Sequence, residues 1–108
     1  MKFEIPKVVR LLKVAEYAAE FGDAVFHVWV NPPSRLLEPL VGKDVAEEDR
    51  AQALAELWSQ GPEGTQMTPE DIQALINGTF DTDPALFSFL VGRTLRMVAE
   101  HRKQIKKA

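Results

Sequence analysis

Cysteine is absent from this 108-residue chain, which excludes disulfide bridges and thiolate nucleophiles and suits the cytosol. Only two histidines, His27 and His101, remain for imidazole chemistry, and no His-Glu-x-x-His spacing exists. The usual zinc sets are therefore excluded unless carboxylates join them. No apolar run approaches the length of a membrane span, and Met1-Lys2-Phe3-Glu4-Ile5-Pro6 lacks the apolar core of a signal peptide. Serine nucleophile turns are missing as well, since none of Ser34, Ser59 and Ser88 sits in a Gly-x-Ser-x-Gly frame. What is left is an ordinary globular composition, 45% hydrophobic and 27% charged. That rules out chain-wide disorder and fits one domain over residues 1–108.

The net charge of -3 hides an asymmetry. Acidic side chains crowd residues 38–83, where only Lys43 and Arg50 oppose them. Residues 84–108 reverse the sign, with Arg93, Arg96, Arg102, Lys103, Lys106 and Lys107 against Glu100 alone. The simplest reading is solvated helix faces. Pairing within one molecule, or head-to-tail between copies, is the alternative.

The densest apolar stretch is Ala24-Val25-Phe26-His27-Val28-Trp29-Val30, which stops at Asn31-Pro32-Pro33. β-Branched and aromatic residues favour a strand, and two prolines forbid a sheet ladder from continuing. Phe26, Val28 and Val30 share one face, while Val25, His27 and Trp29 share the other. A strand apolar on both faces asks for cover on both, and in so small a chain a partner is one source of it. Upstream, residues 7–21 carry two patterns. Val8, Leu11, Leu12, Ala15 and Ala19 keep helical spacing with Gly22 as a cap. Val8-Val9-x-Leu11-Leu12-x-Val14 equally suits a first strand, and the strand reading is preferred. The expected fold class is α+β, with a short hairpin of about residues 7–14 and 24–30 followed by three main helices.

Ser34-Arg35-Leu36-Leu37-Glu38 reads as a single helical turn interrupted by Pro39. The first main helix is expected over 45–60, with Asp44 as N-cap, Glu47 completing a capping box, and Gly61-Pro62 as the stop. Its apolar stripe is Ala46, Ala53, Leu54, Leu57 and Trp58. Thr68-Pro69-Glu70-Asp71 opens the second, over 69–77, with Thr68 capping, Pro69 in the first position and Met67 stapling to Ile72. Gly78 ends it. Asp83-Pro84 repeats the device for a last helix over 84–105. There Leu86, Phe89, Leu90, Met97 and Val98 form one stripe, and Phe87, Val91 and Leu95 form a second. Trp29 and Trp58 read as core, and an exposed tryptophan would mark an interface.

Several fragments imitate chemistry. Asn31-Pro32-Pro33 after a strand resembles the Asn-Pro-Pro-aromatic signature of amino-group methyltransferases, but Ser34 replaces the aromatic and no cofactor loop precedes it. Asp81-x-Asp83 starts like a calcium loop, yet Leu86 and Gly92 stand where glycine and glutamate are required. Gly61-Pro62-Glu63-Gly64 outlines an RNA-clamping loop with an acid inside it. The basic end lacks interleaved aromatics, so nucleic acid is not the expected partner. No catalytic group, cofactor or metal site is expected.

The order of the second half resembles the tail assembly chaperones of long-tailed bacteriophages and prophages. Leu57-Trp58, the turn Gly61-Pro62-Glu63-Gly64, Met67-Thr68-Pro69-Glu70-Asp71-Ile72, Leu75 and Asp83-Pro84-Ala85-Leu86 carry the resemblance. Glu20-Phe21-Gly22-Asp23 and Val28-Trp29-Val30-Asn31-Pro32-Pro33 are similar to the β portion of some phage proteins of this size. The resemblance implies a non-enzymatic protein of the host cytoplasm. It would bind the tape measure protein, assist tail-tube subunits to polymerise around it, and correspond to the short form of a family that also makes frameshift-extended forms. Val25, Trp29, Phe87, Val91 and Leu95 are the expected docking set, with self-association a further possibility. A virion structural subunit and a small nucleic-acid-associated regulator are the alternative classes.

Overall fold

The computed structural model describes residues 5–62, 64, 66–77 and 84–107. It is an α+β arrangement. An antiparallel hairpin, β1 (Val9–Lys13) and β2 (Val25–Trp29), precedes four helices: α1 (Ser34–Val41), α2 (Glu47–Leu57), α3 (Pro69–Ile76) and α4 (Pro84–Lys107). One apolar cluster draws buried residues from all six elements, from Leu12 and Val28 through Leu36, Leu54 and Ile72 to Leu90.

Strand, not helix, is the conformation of residues 9–13. Two 3-10 turns, Val14–Glu16 and Ala19–Phe21, carry the chain back to β2. Gly22 closes the second turn at φ 58° and ψ −120°, a region that side chains exclude. The pairing sets Val9 opposite Trp29, Leu11 opposite His27 and Lys13 opposite Val25 on the outer face. Arg10–Val28 and Leu12–Phe26 occupy the inner face. Leu12, Val28 and Val30 are buried, and the Phe26 ring lies 4.9 Å from Trp58. Outside, Val25, His27 and Trp29 are only half-buried. β1 is therefore a ladder partner of β2 and does not cover either of its faces.

The helices differ from expectation in three places. First, α1 is a full helix that runs through Pro39, so four helices follow the hairpin and not three. Leu36 is buried and Leu40 packs on the cluster, and that tertiary packing outweighs the missing Pro39 N–H. The Arg50 side chain also donates to the Pro39 carbonyl at 3.4 Å. Second, Asp44 takes φ 59° and so cannot adopt the extended conformation of an N-cap. The helix begins at Glu47 with Ala46 as an uncapped first residue, and Glu47, Glu48 and Asp49 serve its dipole instead. Ala46 is exposed and leaves the stripe, while Ala51 and Ala55 join it.

Third, α2 stops at Leu57, short of Gln60. Trp58 leaves helical geometry at φ −98°, ψ 4°, and Ser59 makes a parallel bridge to His27. The Ser59 hydroxyl donates to the Met67 carbonyl and accepts from the Met67 N–H, at 3.0 and 2.8 Å. That pair of bonds delivers the chain to α3. There the expected cap is present: Thr68 accepts from the Asp71 N–H, and Asp71 accepts in return from the Thr68 N–H. Ile72 is fully buried. The expected cap Asp83 and break Gly78 lie outside the described residues.

α4 buries Leu86, Leu90, Thr94, Met97 and Val98. Thr94 is the one buried polar side chain among the described residues. Its hydroxyl donates to the Leu90 carbonyl at 2.7 Å and accepts from the Trp58 indole N–H at 3.0 Å. Thr94→Val keeps the shape but strands that indole N–H in a dry core. We expect a loss of about 1–3 kcal/mol in urea unfolding, with Thr94→Ser recovering part of it.

Candidate functional site

Burial of one α4 stripe fixes what its flanks can do. Phe87, Val91 and Leu95 follow one another at four-residue spacing beside that stripe, and each is half-buried. α1 crosses them. Leu36 and Leu40 of α1 turn inward, whereas Leu37 and Val41 stay at the surface, with Val41 66% exposed. Two grooves result. One, of about 370 Å³, lies between Leu40 and the Phe87–Val91 pair, with Arg50 at its rim. The other, of about 400 Å³, lies between Leu37–Val41 and Leu95–Ala99, with Arg102 and Lys103 at its end. At Gly92, in the first groove, no heavy atom stands within 4 Å of where a β-carbon would be.

The expected docking set is thus divided. Phe87, Val91 and Leu95 belong to the α1–α4 surface, and neither groove includes a hairpin residue. Val25 and Trp29 lie on the outer face of the hairpin. The Lys7 ammonium sits 4.4 Å from the centre of the Trp29 ring and donates to the Gln60 side chain at 3.1 Å. A cation over the ring of a half-buried indole shields it from partners. Leu37 and Val41 were not in the expected set, because a turn broken at Pro39 gives no face to read. The signal was the i, i+4 spacing of Leu37 with Val41, parallel to that of Leu36 with Leu40.

Asn31 has a local task. Its side-chain oxygen accepts from the Val8 N–H at 2.7 Å, and its amide donates to the Pro6 carbonyl at 2.9 Å. Both ends of the amide are engaged by the chain's own backbone, which extends the ladder past Trp29. Among the described residues, no three His, Asp or Glu side chains gather as a metal ion requires. A further groove of about 420 Å³ separates α1 from α2, and across it Arg35 and Glu56 form a two-bonded fork at 3.0 and 3.1 Å. The Arg35 hydrogen bond holds the Glu56 carboxyl below its ordinary value. That pair joins two helices and is wet.

The chain matches no protein-family model, no curated protein and no solved structure. Among the described residues, no helix is long and apolar enough to cross a membrane.

Because the folded Glu56 titrates low, its contribution is present above the unfolded carboxyl value and fades as the pH falls through the folded one. Carboxyl NMR titration should place Glu56 below the ordinary glutamate value. Arg35→Gln should return it upwards, and the stability gap between the two proteins should close on acidification. High salt should also narrow the gap, as for any exposed pair.

Proposed function

We propose that this chain is a non-enzymatic tail assembly chaperone of a long-tailed phage or prophage. It binds an apolar helical segment of the tape measure protein in the host cytoplasm and assists tail-tube assembly around it. The observation that supports this reading best is the apolar α1–α4 surface, with its open bed at Gly92 and its exposed Val41. Side chains at 87, 91 and 95 present a ridge that suits a helix laid in a groove, the mode in which apolar anchors at i, i+3 and i+4 supply affinity. Arg50, Arg102 and Lys103 at the rim favour acidic flanks on that helix and disfavour basic ones.

Co-expression with a fragment of the tape measure protein from the same genome tests the reading. The fragment's soluble fraction should rise with the wild-type chain. Gly92→Trp fills the first groove and Val41→Asp places an acid in the second. Neither touches the buried cluster, so circular dichroism and Tm should be retained. Val41→Asp removes roughly one apolar anchor, about 1.5–3 kcal/mol, and Gly92→Trp blocks the place of one, so each should weaken docking by about tenfold or more. Unchanged solubility with wild type, or full activity in both variants, would overturn the proposal.

A further inference from the structure

The hairpin leaves one edge open. The ladder ends with Val30 N–H on the Val8 carbonyl at 2.9 Å and Val14 N–H on the Ala24 carbonyl at 3.0 Å. Even-numbered residues of β1 therefore exchange bonds with β2, and Val9, Leu11 and Lys13 turn their N–H and C=O groups away from it. Among the described residues no group hydrogen-bonds to these three. The far edge of β2 is different, since His27 bridges to Ser59 and Pro32-Pro33 follows. Among the described residues, the β1 edge is the one along which no other segment bridges.

We propose that this edge is a self-association surface, at which two copies pair β1 to β1 in antiparallel fashion, centred on Leu11. The register follows from the groups that point outward. Leu11 faces Leu11 of the second copy, and Val9 faces Lys13 in both directions. Each facing pair exchanges two bonds, so every outward backbone group on both strands is satisfied. Arg10 then stands opposite Leu12, and no two cations meet. Neighbouring registers fail. A shift towards the N-terminus sets Lys13 against Lys7, a like-charge pair. A shift the other way runs Val9 against Ala15, where the chain has already turned into the 3-10 segment Val14–Glu16.

Side chains agree with the backbone. Leu11 is 52% and Val9 38% exposed, on the same outer face as Val25 and Trp29. Pairing extends that face from two strands to four, and two strands alone make a marginal sheet. Space exists beside β1, where a groove of about 510 Å³ separates Val9–Leu11 from α4. Arg93, which lines it, is paired with Glu16 at 3.1 Å and lies 3.9 Å from Glu100, so Arg93 itself adds little net charge to the approach of a second copy. The two-fold operation closes the assembly at a pair. This pairing is independent of whether the α1–α4 grooves receive a client.

Sedimentation equilibrium of the full chain tests the pairing. The wild type should reach twice the 12.1 kDa of one chain as concentration rises. Leu11→Lys and Leu11→Glu should each be monomeric, with unchanged circular dichroism. Their equimolar mixture should regain the double mass, because position 11 faces itself and the mixed pair opposes unlike charges. In the wild type, the amides of Val9, Leu11 and Lys13 should exchange more slowly as concentration rises, while in either variant they exchange fast at all concentrations. A wild type that stays monomeric at millimolar concentration would overturn the proposal. So would a dimer that survives both substitutions, or a mixture that stays monomeric.

Discussion

One buried hydrogen bond organises the molecule: the Trp58 indole N–H on the Thr94 hydroxyl, 3.0 Å long with both residues sealed from solvent. The Thr94 hydroxyl in turn donates to the Leu90 carbonyl, so both donors of this pair are satisfied. Trp58 is also where α2 ends, and Phe26 of β2 packs against its ring. The C-terminal end of α2, the middle of α4 and the inner face of the hairpin are thereby fixed at one point. A lone two-stranded hairpin is marginal in water. Here it is held because its inner face closes over an indole whose only polar atom is satisfied.

The surfaces left to the outside follow from that choice. With Leu90, Thr94 and Met97 of α4 turned to the indole and the core, Phe87, Val91 and Leu95 emerge on the flank where α1 crosses. The residue after Trp58 matters equally. Ser59 leaves the helix to bridge His27, which occupies the middle of the far edge of β2, whereas no segment of the described residues bridges to the far edge of β1. The polar sides of the hairpin connection are tied down elsewhere. Glu16 pairs with Arg93, and the Tyr17 ring lies 5.3 Å from Phe89. The connection therefore reports on α4 without adding a site of its own.

Where local signals agreed with tertiary packing, the sequence was legible. The hairpin strands carried β-branched residues and a proline stop, and Thr68-Pro69 with Asp71 made a cap that needs no distant partner. Features decided by long-range contacts were not readable. Pro39 argued against a helix, but Leu36 and Leu40 had a core to enter, and burial outweighs a lost bond. Asp44 has the chemistry of an N-cap, yet the turn after Gly42 required a residue tolerant of positive φ, which aspartate also is. Thr94 had no signal at all, because a threonine in an apolar stripe becomes informative only when its partner, 36 residues away, is known. The docking set mixed two surfaces for the same reason, since helical and strand periodicities say which residues share a face and not which faces adjoin.

Asn31 shows how a chemical-looking motif is absorbed by structure. Two prolines end the ladder at β2, so the Pro6 carbonyl, which faces position 32 in this register, meets no N–H there, and the Val8 N–H turns to position 31. A side-chain amide at position 31 supplies an acceptor for it and a donor for the Pro6 carbonyl, and so restores the ladder past the prolines. Aspartate there would offer acceptors only, and serine would be too short to reach both groups. The residue type that a methyltransferase would use to grip an amine is the one that a strand terminator needs for its own backbone. The same satisfaction of backbone groups stops one strand away: Asn31 completes the inner pairing of β1, and the outward groups of Val9, Leu11 and Lys13 find no partner among the described residues.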